Sequence, residues 1–252
     1  MLRRLAAFAC LLMLCCPAAA MVGGAPAADG VRHTIMIMGS RGTFCTGTAI
    51  ARDLVLTAAH CVPPGASYKF VDIDAARQAQ LRDVAKITSH PQFSMSAFQG
   101  TRATPDLALL KLAQPLPANI VPAPLVGSRG PITGGEAFVV MGYGVASPGD
   151  NKSGGALRRA TLVATGQLGN LQTRLVAPTT LGKRAGLGAC VGDSGGPVFQ
   201  ESSGRLLLIG VISWTTAPNL DDGCGGTTGA TPLELYRGWI LDTAKKLGSP
   251  LP

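Results

Sequence analysis

Short apolar segments separated by turn residues constrain the fold of this chain more than any other feature. Glycine (33 residues) and proline (18 residues) are abundant between the segments. Such spacing is typical of a β-barrel or a β-sandwich, whereas long helical segments between strands would indicate βαβ units. We therefore predict strands at 34–38, 48–50, 54–56, 107–112, 137–141, 174–177, 197–199 and 206–213.

A proline-rich segment separates these strands into two groups. Residues 114–124 contain Pro115, Pro117, Pro122 and Pro124. Proline cannot donate a backbone hydrogen bond to a sheet, so this segment is excluded as a central strand. We interpret it as the connection between two halves of the molecule.

One helix is predicted, near the C-terminal end. In residues 233–247, the apolar residues Leu233, Tyr236, Ile240 and Ala244 recur at helical spacing. Basic residues follow at 245 and 246, where the electronegative end of a helix favours positive charge.

Residues 1–20 have the pattern of a secretory signal. Arg3 and Arg4 precede an apolar segment at 5–16, and Pro17 and three alanines form a small-residue cleavage site. The alternative, a transmembrane anchor, would need about 20 apolar residues. Leu14 and Cys15 are not the small residue expected before a lipidated cysteine. We predict a secreted or periplasmic protein without a membrane anchor.

Removal of the signal leaves Cys45, Cys61, Cys190 and Cys224. An even number of cysteines in an oxidising compartment indicates two disulfides, and three pairings are open at this point. A zinc site is the alternative, but these cysteines include no Cys-x-x-Cys pair.

The charge of the chain does not indicate a nucleic-acid partner. The formal net charge is +8, and it falls to +6 (8 − 2) without Arg3 and Arg4. The basic residues are scattered, and no basic stripe with interleaved aromatic residues is present.

Ser194, within Gly-Asp-Ser-Gly-Gly, is the candidate nucleophile, and the order of the histidines restricts its chemistry. His33, His60 and His90 all precede it. Hydrolases with a Gly-x-Ser-x-Gly elbow place the histidine after the serine, so that class is excluded. A subtilisin-like order starting at Asp29 is formally open, but prolines follow His60 where that fold would begin a helix. The order His-Asp-Ser remains.

Three strings now become specific: Leu-Thr-Ala-Ala-His-Cys at 56–61, Asp-Leu-Ala-Leu-Leu-Lys-Leu at 106–112 and Gly-Asp-Ser-Gly-Gly-Pro at 192–197. In this order they resemble the chymotrypsin/trypsin-like serine proteases, and we identify the chain as a secreted bacterial member of that family. The resemblance covers nearly all of the chain after the signal. Further matching strings lie at 21–24, 44–45, 142–144, 213–214 and 239–240.

The resemblance implies an all-β fold of two six-stranded antiparallel β-barrels. The N-terminal barrel, 21–120, would carry His60 and Asp106. The C-terminal barrel, 121–232, would carry Ser194, and a C-terminal helix would occupy 233–252. The family pattern also implies the disulfides Cys45–Cys61 and Cys190–Cys224.

The resemblance assigns a role to each candidate catalytic group. Ser194 would attack the scissile carbonyl, His60 would take the serine proton, and Asp106 would orient the imidazole. The N–H groups of Gly192 and Ser194 would form the oxyanion hole. His33 and His90 would lie outside the site, with His90 in a surface loop.

No cofactor or metal is implied. The expected partners are protein or peptide substrates, with a protein inhibitor as a further class, and the expected state is a monomer. The alternative function is a catalytically weak binding protein on the same fold.

The resemblance also implies an activation step. In this family a new N-terminal ammonium pairs with the aspartate before the serine, here Asp193. Met21 directly follows the alanines of the signal, so signal cleavage itself would free the ammonium of Met21.

The expected specificity pocket comprises Gly188, Ser213, Trp214, Thr215 and Gly229. Gly188 replaces the aspartate that relatives cleaving after Arg or Lys keep at the pocket base. Thr215 should narrow the pocket, and the opposite wall near Gly229 should be open. We therefore expect small or medium apolar side chains before the cut.

Overall fold

The structure is a computed structural model that describes residues 21–27, 33–73, 78–166 and 171–252. The predicted signal, 1–20, and Asp29 lie outside these residues. The described chain contains the expected two closed antiparallel barrels. A two-residue strand, β1 (Ala25–Pro26), precedes them.

Six strands close the first barrel in the order β2-β3-β4-β7-β6-β5. Gly47 lies inside it, where a Cβ would be 2.8 Å from both Ile37 Cδ1 and Val55 Cγ1, so a side chain there would not fit. The strands are β2 (Thr34–Gly39), β3 (Phe44–Ala51), β4 (Leu54–Thr57), β5 (Tyr68–Ile73), β6 (Ala79–Ser89) and β7 (Ala108–Leu112).

The second barrel closes in the order β8-β9-β10-β13-β12-β11, with β11 returning to β8. Strand β1 pairs with the first two residues of β9, Arg158 and Arg159. The strands are β8 (Ala137–Gly142), β9 (Arg158–Ala164), β10 (Thr173–Val176), β11 (Pro197–Ser202), β12 (Arg205–Thr215) and β13 (Thr227–Pro232).

All of the predicted strands are confirmed in position, but β1, β5, β6, β9 and β13 were not predicted. Strand β6, Ala-Gln-Leu-Arg-Asp-Val-Ala-Lys-Ile-Thr-Ser, is mostly exposed and therefore lacks an apolar run. Strand β13, Thr-Thr-Gly-Ala-Thr-Pro, is buried but carries threonine, glycine and proline in place of large apolar residues. Burial by neighbouring strands is a tertiary property, and local composition does not predict it.

The predicted C-terminal helix is confirmed with narrower bounds. A 3₁₀ turn, Glu234–Tyr236, leads into α2 (Arg237–Lys246). The predicted apolar face is buried and joins the core of the first barrel through Leu233, Tyr236, Ile240 and Ala244. The short helix α1 (Met95–Gln99) was not predicted.

Each end of the described chain packs against the barrel that is farther from it in the sequence: the N-terminal end against the second barrel and the C-terminal end against the first. Met21 is fully buried in the core of the second barrel, and Val22 forms a β-bridge with Gly188. After α2, Ser249 hydrogen-bonds to Asp53 and Lys111 of the first barrel, which also form an ion pair with each other.

Both disulfides predicted from the family pattern are present. Cys45–Cys61 joins β3 to the turn after β4, with a Cα–Cα distance of 6.1 Å. Cys190–Cys224 joins the segment before Ser194 to the loop before β13, with a Cα–Cα distance of 4.8 Å. Among the described helices, none has the length and apolar character needed to cross a membrane.

Removing either disulfide should destabilise the protein through the entropy of the unfolded chain. The bridges enclose sequence separations of 16 and 34 residues. The loop-entropy relation then gives losses of about 3 kcal/mol for Cys45→Ala/Cys61→Ala and about 4 kcal/mol for Cys190→Ala/Cys224→Ala. Urea unfolding of each double variant measures the loss. An unchanged free energy of unfolding in both would contradict this account.

Candidate active site

His60 and Asp106 meet because two paired strands end side by side. His60 lies in the 3₁₀ turn Ala59–Cys61 after β4, and Asp106 precedes β7, whose Ala108 pairs with Thr57. His60 Nδ1 donates to Asp106 Oδ2 at 2.7 Å, and the His60 backbone N–H donates to Asp106 Oδ1 at 2.9 Å. A carboxylate only accepts, so the neutral imidazole carries its proton on Nδ1 and leaves Nε2 as the base.

A third donor reaches Asp106 from the second barrel. Ser213 Oγ, on β12, donates to Asp106 Oδ2 at 2.6 Å. Asp106 is only 1% exposed, and a buried carboxylate needs such donors to offset the loss of hydration. Ser213, expected in the pocket, therefore also fixes the carboxylate that orients His60.

Ser194 lies on a turn in which positions 192 and 195 have no room for a side chain. Gly195 has φ +81°, and a Cβ there would lie 2.1 Å from Thr57 Oγ1 and 2.2 Å from Thr46 O. Gly192 has φ +96°, and a Cβ there would lie 2.5 Å from the ring of Phe44. The backbone around Ser194 is thus pressed against strands β3 and β4 of the first barrel.

Thr46, which sequence reasoning missed, holds this turn in place. Its N–H donates to Ser194 O at 2.8 Å, and its Oγ1 donates to Gly192 O at 2.7 Å. Both carbonyls therefore point toward β3. Within the described parts of the chain, the N–H groups of Gly192 and Ser194 make no hydrogen bond. Two neighbouring unpaired N–H groups of this kind can donate hydrogen bonds to a developing oxyanion.

The Cys45–Cys61 disulfide lies between His60 and the Ser194 backbone. Cys61 Sγ is 3.8 Å from His60 Nε2 and 3.6 Å from Ser194 O. Both sulfurs lie within reach of the imidazole as metal ligands would, but they are bonded to each other and are not thiolates. In the described residues Ser194 Oγ has no hydrogen-bond partner, a common situation in catalytic sites without substrate.

Asp193 is fully buried. Its two oxygens accept from the N–H groups of Gly144 and Cys190, both at 2.8 Å. Burial raises the pKa of Asp193 to about 7, and the two N–H donors oppose that rise. A Cβ at Gly142 would lie 2.0 Å from Asp193 Oδ1, which explains one glycine of the Gly-Tyr-Gly string. Met21, the expected partner of Asp193, is buried with φ +55°.

Of the expected pocket residues, Thr215 contacts Ala189, the residue that follows Gly188. Thr215 Oγ1 donates to Ala189 O at 2.7 Å, and Thr228 Oγ1, which sequence reasoning missed, accepts from Ala189 N at 2.9 Å. A Cβ at Gly188 would lie 3.0 Å from Gly225 Cα, so the neighbouring backbone restricts a side chain there.

Gly229 differs from its expected role as an open wall. It pairs with Trp214, and a Cβ at 229 would lie 1.9 Å from the indole Cε2. The space beside Gly229 is therefore filled by the ring of Trp214, and Thr228 is the β13 residue that contacts Ala189.

The other two histidines lie elsewhere. His33 Nδ1 contacts Val121 O at 2.5 Å. His90, expected in a surface loop, is buried against Tyr236 and Trp239, with ring centroids 5.1 and 4.8 Å away. This burial lowers the pKa of His90.

Comparisons with known proteins agree with this geometry. A family model described as Trypsin matches residues 21–240. The snake venom serine protease rhinocerase 4 of Bitis rhinoceros is 30% identical over 220 residues, covering 83% of this chain and 81% of that protein.

Two longer proteins of Mus musculus are also similar. Vitamin K-dependent protein C is 30% identical and serine protease 56 is 31% identical, over 84% and 88% of this chain. The chain spans less than half of each, 48% and 38% respectively. With the family model covering most of the chain, the chain belongs to the trypsin family of serine proteases.

Proposed function

We propose that the protein is a secreted serine endopeptidase that uses His60, Asp106 and Ser194. The observation that carries the proposal is the His60–Asp106–Ser213 hydrogen-bond chain, together with the unpaired N–H groups of Gly192 and Ser194 in the described residues. The first group of contacts prepares a base, and the second prepares a site for negative charge.

The reaction follows from these positions. Ser194 Oγ bonds to the carbonyl carbon of the substrate while its proton passes to His60 Nε2. The carbonyl oxygen becomes an oxyanion held by the N–H groups of Gly192 and Ser194. The C–N bond then breaks as His60 returns the proton to the leaving amine. Water, deprotonated by His60, cleaves the resulting ester and restores Ser194.

We propose that residues 1–20 direct export and are then removed, giving a secreted or periplasmic monomer. The proposed domains are 21–120 and 121–232, with 233–252 as the C-terminal helical segment. Protein and peptide substrates are the proposed partners, and protein inhibitors of this family are a further class.

Activation is proposed to follow from removal of the signal. Cleavage after Ala20 would free the ammonium of Met21, a residue that is already buried in the second barrel. Within the described residues, the hydrogen bonds to the buried Asp193 carboxylate come from backbone N–H groups and not from a cationic side chain, so an ammonium there would stabilise its charged form. The pair would stabilise the turn that carries Ser194.

Specificity is proposed to favour small or medium apolar side chains before the cut. Gly188 offers no carboxylate for a basic side chain, and a buried cation without a partner is costly. Thr215 and Thr228 both contact Ala189 and bring β-branched side chains to this part of the site. We propose Thr228, rather than Gly229, as the second wall.

Replacing Ser194 with Ala should abolish peptide cleavage. The loss in kcat should be about 10⁴-fold or more, as when triad members are removed from other serine proteases. Cleavage of a mixed peptide library by protein beginning at Met21, with Ser194→Ala as the control, measures it. Equal cleavage by both proteins would assign the activity to a contaminant. No cleavage by either would favour a binding protein on this fold.

An added residue before Met21 should make stability fall as the pH rises. Without the ammonium, native Asp193 keeps its proton up to about pH 7, whereas the unfolded carboxyl releases it near 3.8. The native state binds more protons in this window, so its stability decreases as the pH rises through it. Protein beginning at Met21 should lack this decline, because the ammonium favours the carboxylate.

Urea unfolding between about pH 4 and about pH 7, with and without Ala20, compares the two forms. Asp193→Asn in the extended form is the control and should remove the decline. Identical pH dependence in the two forms would contradict the proposed pairing.

Shortening both threonines should widen the pocket. Thr215→Ser/Thr228→Ser keeps the hydroxyl contacts to Ala189 and removes two methyl groups. We expect kcat/KM for Leu relative to Ala before the cut to rise by about tenfold, since one methylene in a pocket is worth about 1–3 kcal/mol. Thr231→Ser, a buried residue on the same strand, is the matched control. An unchanged ratio would place the pocket elsewhere.

A further inference from the structure

Phe98 stacks face to face on the imidazole of His60. The ring centroids are 4.4 Å apart, and the planes differ by 12°. The structure describes all five residues of α1, and none of them is buried. Packing in a hydrophobic core therefore does not explain the position of Phe98. Its other aromatic neighbour, Phe93, is tilted at 6.5 Å.

The loop that carries Phe98 is held by its own hydrogen bonds. Ser94 Oγ accepts from Ala97 N at 3.2 Å, and Arg102 N donates to Ala97 O at 2.8 Å. Thr104, which lies two residues before Asp106, accepts a hydrogen bond at its Oγ1 from Ser94 N at 2.9 Å. One loop therefore delivers both the aromatic face of Phe98 and the carboxylate of Asp106 to His60.

These contacts leave His60 little freedom to rotate. Asp106 accepts from Nδ1, Phe98 covers a ring face, and Cys61 Sγ lies 3.8 Å from Nε2. The imidazole side chain is only 16% exposed. A ring held at three places keeps Nε2 in one direction, which lowers the entropic barrier to proton transfer.

We propose that Phe98 is a positioning residue for His60, a role that rests on the proposed protease function. It holds the imidazole plane against Asp106, and its π face attracts the imidazolium that forms when Nε2 takes the proton of Ser194. The positive charge on the His60 imidazolium comes only from the proton of Ser194, so the step needs no further reactant. The contact is stronger after the transfer than before it and therefore favours the reaction.

The test compares Phe98→Leu, Phe98→Tyr and Phe93→Leu in protein beginning at Met21. The substrate is an ester of a single N-acylated apolar amino acid, which has no further residue to touch the loop. Phe98→Leu should lower kcat about tenfold, which corresponds to about 1.4 kcal/mol, with KM changed less than about twofold. Phe98→Tyr keeps the aromatic face and should restore kcat. Phe93→Leu should stay within about twofold of the unmodified protein.

Two kinetic results would overturn the role. If Phe98→Leu affects peptides but not the ester, Phe98 contacts substrate and does not position His60. If Phe93→Leu lowers kcat as much as Phe98→Leu, the effect is loop stability.

A spectroscopic readout separates this proposal from the protease function. The proton of His60 Nδ1 bound to Asp106 gives a far-downfield NMR signal, which Phe98→Leu should shift or broaden and Phe93→Leu should not. If the unmodified protein hydrolyses no substrate, the protease proposal fails while this signal still decides the positioning role. An unchanged signal in Phe98→Leu would overturn that role.

Discussion

The buried carboxylate of Asp106 is the interaction on which the candidate site depends. It is supplied by the first barrel, and its three donors come from His60 of the same barrel and Ser213 of the second. A carboxylate that is 1% exposed cannot rely on water, so its hydrogen bonds require the two barrels to meet in one arrangement. The direction of the His60 imidazole is thereby tied to the packing of the whole molecule.

The second constraint is the close approach of the Ser194 turn to the first barrel. Thr46 donates hydrogen bonds to the carbonyl oxygens of Gly192 and Ser194, and the contacts around Gly195 leave no room for a side chain. The Gly-Asp-Ser-Gly-Gly string therefore has a steric explanation that is separate from its chemistry. Asp193 stabilises the same turn from the opposite direction through the N–H groups of Gly144 and Cys190.

Much of the fold and of the candidate site was predictable because short sequence motifs indicate it. The order of His60, Asp106 and Ser194, the barrel fold and both disulfides followed from motifs that resemble one family. Strand β6 and the role of Thr46 did not, because an exposed strand and a long-range contact leave no local pattern. The open wall expected at Gly229 was not found for the same reason, since the space is filled by the indole of Trp214 on the neighbouring strand β12. Phe98 lies in a five-residue helix, and a helix this short has no apolar periodicity from which it could be predicted.

The crossed packing of the chain ends has a consequence for biogenesis. The core of the first barrel includes Tyr236 and Ile240, and the core of the second includes Met21. A ribosome that has released only the first barrel has therefore released a barrel with part of its core missing, and its apolar surface remains open until α2 emerges. The last helical segment of the chain closes the half that was made first, so the core of the first barrel is complete only after residues 236–244 have been synthesised.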